Sequence, residues 1–263
     1  MDNLMFQHID GGNGFDFGKT APDYAKYRDI YPDSLFQKLQ NFGIIYPGMT
    51  ILDVGTGTGV LPRHWDDSKN RIWATDLSAE QIEEAKKLSA GRNIHYAVAP
   101  AESSPFGTQT FDLVTACQCF WYFDIPKFLE ELQRILTANG KFCRISMEWL
   151  PFESELAAKT EEIVLRFNPK WSGGGYRLTD YVLPEWAHKN WELETVHIYR
   201  ENLSFTIDSW CGRMRSCRGV GASLSQEVVR QFDLSLREYL KKHTSGCFEI
   251  PHAIQIETFR RGK

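Results

Sequence analysis

Between Thr50 and Met147 short apolar runs alternate with amphipathic stretches, and this rhythm predicts strands interleaved with helices. Strands are expected over 50–55, 71–76, 94–99, 111–117 and 141–147. Helices are expected near 59–66, from Ser78 to about Gly91, and from Asp124 to Leu136, where Phe128, Leu129, Leu132 and Leu136 recur at helical spacing. Ser78 stands as an N-cap with Gln81 at the capping-box position, Asp124 caps the third helix, and Asn139-Gly140 reads as the turn into the fifth strand. Upstream, a helix from Pro22 to about Asp29 breaks at Tyr31-Pro32-Asp33. A second runs to about Phe42, capped by Asp33 or Ser34, with Leu35, Phe36 and Leu39 as its apolar face.

After Glu148 the alternation stops. A helix over 153–167 precedes a flexible aromatic loop, Trp171 to Tyr176. A short helix near 184–189, a strand over 192–201, helices near 206–217 and 223–242, and a last strand over 248–259 follow. Strands joined through helices form a parallel sheet with right-handed crossovers. The fold class expected is α/β, a Rossmann-like doubly wound seven-stranded sheet, mostly parallel with one antiparallel edge strand, plus a helical cap. The expected divisions are N-terminal lid helices in 1–45, a nucleoside-binding core in 46–150, a cap insertion in 151–190, and the C-terminal part of the core in 191–263 with cap helices over 206–242.

Composition narrows the class. The 263 residues are 42% hydrophobic and 24% charged, as in a soluble globular protein, and the formal net charge of −4 offers a polyanion nothing. No nucleic-acid partner is expected. The basic end, Arg260, Arg261 and Lys263, reads as solvated. No run of about 18 apolar residues predicts a membrane helix, and the N-terminus lacks a signal-peptide pattern. The six cysteines form no C-x-x-C pair, so reduced thiols in a cytoplasmic protein are expected, with no metal. The oligomeric state is expected to be monomer or homodimer.

The chemistry concentrates at Ile51-Leu52-Asp53-Val54-Gly55-Thr56-Gly57-Thr58-Gly59, a strand entering a glycine-rich turn, with Asp76 ending the next apolar run. Strand, glycine turn, helix and a second strand ending in an acid make a nucleoside-binding half-site. The glycines let a ligand approach the backbone, and the acid can accept from both ribose hydroxyls. A dinucleotide site wants G-x-G-x-x-G, whereas these glycines run G-x-G-x-G behind Asp53, which argues against a nicotinamide-dependent reductase. The pattern resembles the D-x-G-x-G-x-G motif of class I methyltransferases that use S-adenosylmethionine (SAM), of the small-molecule, domain-11-like type. The resemblance covers roughly residues 22–148, and it makes SAM the expected cofactor.

That resemblance implies roles. Gly55-Thr56-Gly57 lies under the methionine part of SAM, and Asp53 bonds either to the turn or to the SAM amino group. Asp76 binds the ribose hydroxyls and Leu77 packs on adenine. Ala101-Glu102 resembles the polar pair beside the adenine edge. At Cys117-Gln118 family members place a backbone carbonyl against the SAM amino group. Tyr24-Ala25-Lys26-Tyr27-Arg28 with Tyr31-Pro32 resembles an N-terminal lid segment, with Asp29 replacing the usual proline. Tyr27 and Arg28 would then meet the cofactor, Arg28 at its carboxylate, and Tyr24 the substrate. Phe120-Trp121-Tyr122-Phe123 resembles the family's aromatic segment after the fourth strand. Trp121 and Tyr122 are expected beside the transferring methyl, where aromatic faces favour a sulfonium, and Phe120, Cys117 and Cys119 in the core. No proline precedes either of these cysteines, and no N-P-P-Y motif occurs, which sets cytosine-5 and amino methylases aside.

Methyl transfer from SAM is an in-line displacement that needs positioning rather than a covalent intermediate. A base is needed only if the nucleophile is protonated. The candidates are Glu148, His197 and Tyr176. A carboxylate acceptor needs no base but wants a cation, and Arg215 or Arg218 could supply one. Trp149, Trp171, Tyr176 and Trp210 would wall an apolar acceptor pocket. The function expected is methyl transfer to a small molecule offering a carboxylate, hydroxyl or similar nucleophile. Transfer to tRNA or protein, and non-catalytic SAM binding, are the alternatives.

Overall fold

The computed structural model describes residues 9–66, 69–188 and 190–262. The first eight residues of the expected lid, Lys189 of the helix expected near 184–189, and Lys263 of the basic end lie outside the described residues. The expected alternation is present as β1 (Thr50–Val54), α3 (Val60–Trp65), β2 (Arg71–Asp76), α4 (Ala79–Leu88), β3 (Ile94–Val98), β4 (Phe111–Cys117), α5 (Ile125–Ile135) and β5 (Leu136–Trp149). Two short helices, α1 (Ala21–Tyr27) and α2 (Asp33–Asn41), precede it. After β5 come α6 (Glu155–Phe167), β6 (Trp191–Thr206), α7 (Ile207–Arg215), α8 (Gln226–His243) and β7 (Cys247–Arg261).

The seven strands form one sheet in the order β3-β2-β1-β4-β5-β7-β6, mostly parallel with one antiparallel pair at the edge. The parallel ladders set the register that matters later: Asp53 lies opposite Ala74 on one side and Thr115 on the other. β1 is buried along its whole length, as a strand covered on both faces should be.

The chain divides into two compact units. The core unit is Tyr31–Met147, Asp180–Tyr199 and Ile254–Lys263, and the helical unit is Met1–Ile30, Glu148–Thr179 and Arg200–Ala253. In the core unit α5 turns Phe128, Leu132 and Ile135, all without solvent exposure, onto Phe111, Phe142 and Phe259. Each such side chain contributes about 1.5–3 kcal/mol by leaving water. In the helical unit α1 packs on α7, and α6 and α7 pack on α8. Trp210 lies at its centre, fully buried, its indole N–H donating to Thr160 Oγ1 at 3.0 Å.

Several local expectations change. α2 starts at Asp33, with extended Pro32 at the capping position and no side-chain cap, so Asp33 sits in the first turn where a negative charge favours the helix dipole. Asn139-Gly140 is not a turn ahead of β5 but lies inside it, where the ladder slips from Phe111 opposite Leu136 to Leu113 opposite Lys141. Gly140 is required there because a Cβ would stand 2.8 Å from the Phe111 carbonyl oxygen. The helix expected near 184–189 is a single 3-10 turn, Glu185–Ala187, after Pro184. Trp171 anchors its loop: it is 7% exposed, against Gly219, where a side chain would strike its ring. Ser78, Asp124 and Ser154 cap their helices through side-chain oxygens.

Candidate functional site

In the core unit β1 ends in Gly55, Gly57 and Gly59 at φ +62°, +56° and +74°, the left-handed region that residues with a Cβ avoid. Space is closed as well. A Cβ on Gly55 would lie 2.7 Å from Cys119 Sγ, and one on Gly59 would overlap the Tyr96 hydroxyl. The turn is stitched to β2 by Thr56 N donating to the Thr75 carbonyl at 2.9 Å.

Asp53 is 1% exposed, and both of its oxygens are engaged. Thr56 Oγ1 donates to Oδ2 at 2.6 Å, and Thr115 Oγ1 donates to Oδ1 at 2.6 Å. Burial pushes its carboxyl up to about 7, against the pull of the two hydroxyls, with nearby Asp76 adding to the rise. Asp53 therefore braces the turn to β4. Thr115, its cross-strand partner, is a functional neighbour that the sequence reading missed. The available signal was one hydroxyl inside the apolar run Phe111–Cys117.

Asp76 ends β2, held by two backbone donors, Gly57 N to Oδ2 at 2.8 Å and Ser78 N to Oδ1 at 2.9 Å. Burial raises its pKa, opposed by these amides and by that of Leu77. Each oxygen keeps a lone pair, a fit for two vicinal ribose hydroxyls. Leu77 beside it is 52% exposed, an apolar surface suited to a nucleobase, and Ala101 is buried. Glu102 accepts from Asp124 N at 2.8 Å, which ties the loop after β3 to the start of α5.

Cys117 closes β4, buried. Gln118 follows at φ +60°. Its amide donates to the Ile145 carbonyl at 3.0 Å, and its side-chain Nε2 donates to the Met147 carbonyl. Cys119 donates its thiol to the Val54 carbonyl at 3.2 Å. Phe120 is buried among Phe123, Phe128 and Phe142, while Trp121 is 39% exposed and Tyr122 half-buried, their rings 5.7 Å apart. His197, a candidate base, also belongs to the core unit, beside Phe42 and Tyr199. Its pKa is lowered by burial and by Lys38.

The helical unit holds the remaining candidates. Glu148 is partly accessible, yet its carboxyl is stripped of enough water to be pushed up to about 7 despite the charges of Arg213, Arg28 and Arg218. Glu161 adds to the rise, and Tyr176, raised by burial, feels Glu148. Trp149 is 6% exposed, donates to Glu161 Oε1 at 2.6 Å and carries Arg213 over its ring at 4.9 Å. Arg213, which the sequence shows only as one of a cluster with Arg215 and Arg218, is 1% exposed.

Other lid and cap candidates are committed to neighbours within this unit. Tyr27 donates to Asp208 Oδ2 at 2.8 Å, its ring against Gly212, where any side chain would collide. Arg28 lies over the Tyr24 ring at 4.8 Å. Arg215 grips Asp23 with two bonds of 2.8 and 2.9 Å and also bonds Asp233, which raises its pKa and compensates its charge. Arg218 pairs with Asp10 at 2.9 Å. So Asp53, Gly55, Thr56, Gly57, Asp76 and Gln118 meet in one unit, whereas Tyr24, Tyr27, Arg28, Glu148, Trp149, Tyr176, Arg215 and Arg218 belong to the other.

Comparison with known proteins places this geometry. A family described as methyltransferase domain matches residues 52–144, which include the glycine turn, Asp76 and Gln118. A malonyl-[acyl-carrier protein] O-methyltransferase of Pseudescherichia vulneris is 25% identical over 221 residues, 79% of this chain and 78% of that protein. An uncharacterized methyltransferase of Schizosaccharomyces pombe is 31% identical over 153 residues, 56% of this chain and 60% of that one. A crystal structure from Bacillus halodurans C-125 shares the fold at a TM-score of 0.55 and 18% identity, over 87% of this chain and 98% of that chain. The glycine turn and the acid that ends the next strand both lie inside the matched stretch, and the chain carries over residues 52–144 the methyltransferase domain of enzymes that use SAM.

Proposed function

We propose that the protein methylates a carboxylate oxygen of a small organic acid. SAM, when bound, supplies an activated methyl group on a sulfonium. In this reading Asp76 holds the ribose hydroxyls, Leu77 packs on the adenine and the turn at Gly55-Thr56-Gly57 lies against the methionine portion. Trp121 and Tyr122 exclude water and face the sulfonium with their rings.

The observation that supports the acceptor class is the positive field of Arg213, Arg28 and Arg218 at the Glu148 carboxyl, next to Trp149, whose ring lies beside Trp171 and under Arg213. Guanidinium groups suit carboxylates. A carboxylate is ionised at neutral pH, so it attacks without a base. Glu148 then acts as the group that an incoming anion displaces or, when protonated, as a hydrogen-bond donor to it. Arg215, held by Asp23 and Asp233, and Arg218, paired with Asp10, contribute field rather than a direct bond to the acceptor. The relatives named malonyl-[acyl-carrier protein] O-methyltransferase support an oxygen acceptor, since a malonyl group ends in a carboxylate.

The test is a transfer assay with SAM against mono- and dicarboxylic acids, phenols, amines and bulk tRNA, read by mass spectrometry. A methyl ester that mild base hydrolyses is the expected product. A base-stable N-methyl or aryl-ether product, or transfer to tRNA alone, would overturn the acceptor assignment.

A further inference from the structure

The loop from Ala99 to Thr110 joins β3 to β4, contains Pro100 and Pro105, and has no strand or helix of its own. Such a segment keeps one conformation only if other elements take up its polar groups. In the core unit α5 does so along its whole length. Ahead of its first turn the Asp124 amide donates to Glu102 Oε1 at 2.8 Å. Farther along, Glu131 Oε1 accepts the Ser104 amide at 2.8 Å and the Ser104 hydroxyl at 2.5 Å. Arg134 donates to the Phe106 carbonyl at 2.7 Å and to the Ser104 carbonyl at 3.3 Å. In the last turn, where helix carbonyls lack intrahelical donors, those of Arg134 and Ile135 accept the Gln109 and Thr110 amides at 2.9 and 2.7 Å.

Two side chains do most of this work. Glu131 is an acid on the buried face of α5, beside Phe128, Leu132 and Ile135, where a carboxylate persists only if it is paired. Arg134, three residues on and so on the same face, pairs with it through bonds of 2.8 and 2.6 Å. A salt bridge alone would need neither partner to touch the loop. Here the carboxylate takes the donors of the loop and the guanidinium takes its acceptors. Phe106 adds an apolar anchor, its ring edge-on to Phe111 at 5.0 Å.

Glu102 lies two residues before Ser104, half-buried, with Oε1 given to the Asp124 amide. That leaves Oε2 to accept from a ligand, and adenine offers a donor in its N6 amino group. Such a bond weakens steeply with a poor angle or a longer distance, so the carboxylate has to be held in place. We propose that Glu131 and Arg134 are positioning residues that set selectivity for adenine over other purine bases. They act through the loop that carries Glu102 and do not touch the cofactor. The assignment rests on SAM lying at the glycine turn with Glu102 beside its base.

The test reads a ratio of affinities. Wild type, Glu131→Ala and Glu102→Ala are titrated calorimetrically with S-adenosylhomocysteine and with S-inosylhomocysteine, which carries an oxygen where adenine carries its amino group. Wild type is expected to prefer the adenine form by roughly ten- to a hundred-fold, the range for a hydrogen bond to a charged group. Glu131→Ala should shrink that ratio at least roughly fivefold as the carboxylate drifts out of bonding geometry. Glu131→Gln, which keeps an oxygen for Ser104, should fall between the two. Arg134→Met, checked for folding by circular dichroism, repeats the measurement if Glu131→Ala folds poorly. A merely structural pair would weaken both ligands alike, and a ratio unchanged in Glu131→Ala and Arg134→Met overturns the proposal. Failure of the underlying reading looks different: wild type would then show no preference, or Glu102→Ala would keep it in full.

Discussion

Replacing Asp53 by Asn gives a pH-dependent stability signal whose size follows from burial. Asp53 is 1% exposed, and its carboxyl moves from an ordinary 3.8 to about 7 on folding. At ~1.4 kcal/mol per pH unit, this gap corresponds to roughly 4 kcal/mol of native-state cost once the group is ionised. Below the unfolded value both states hold the proton and the cost vanishes. As pH rises toward the folded value, the unfolded chain loses its proton first, so the native state weakens until the folded carboxyl ionises too. Asn keeps an acceptor, and the Thr hydroxyls can rotate to meet its amide. Relative to wild type, Asp53→Asn should therefore gain roughly 2–3 kcal/mol between about pH 5 and about pH 8. Urea unfolding of the ligand-free protein, followed by tryptophan fluorescence, measures it. Contributions from Glu148 and other groups are common to both proteins and drop out of the difference. A stability difference that does not change with pH would refute the reasoning.

Other substitutions probe single contacts. Gly55→Ala should cost roughly 2–5 kcal/mol, combining left-handed strain with overlap onto Cys119, and a second change, Cys119→Gly, should recover part of it. A loss under about 1 kcal/mol in chemical unfolding would contradict that. Glu148→Gln should flatten the pH dependence of acceptor KM. In wild type KM rises as pH passes about 7, because ionised Glu148 repels an anionic acceptor among Arg213, Arg28 and Arg218, with Glu161 and Tyr176 also facing it. A wild-type KM that falls with rising pH would count against an acid acceptor. Arg215→Ala strands Asp23, while Asp233 keeps its pair with Arg237, and should destabilise by roughly 1–2 kcal/mol, while an unchanged melting profile would show the clamp to be idle.

The sheet from β1 to β5 was legible because each strand and helix carries its own period, and short loops forced neighbours together. The place of Asp76 at the end of β2 was legible for the same reason, since that end is fixed by β2 itself. What the sequence concealed depends on contacts distant along the chain. Asp53 was expected to bond either to the turn or to the SAM amino group, and the sequence does not show that Thr115, on the adjacent strand, donates to one of its oxygens. Arg215 looked like a cation for a substrate, but Asp23, 192 residues upstream, and Asp233 neutralise it. Arg213 could be read only as one of a cluster with Arg215 and Arg218, because nothing local says that α7 will bury it over Trp149. Asn139-Gly140 has the chemistry of a turn, and only the approach of the Phe111 carbonyl reveals a ladder irregularity.

The most direct measurement is calorimetric titration of the purified protein with SAM, S-adenosylhomocysteine and NADH, repeated on Asp76→Ala. Binding of the first two and not the third, weakened at least roughly a hundred-fold in the variant by the loss of two charge-assisted ribose bonds, is the predicted result. Unaltered SAM binding in Asp76→Ala, or tighter binding of NADH than of SAM, would contradict the account of this site.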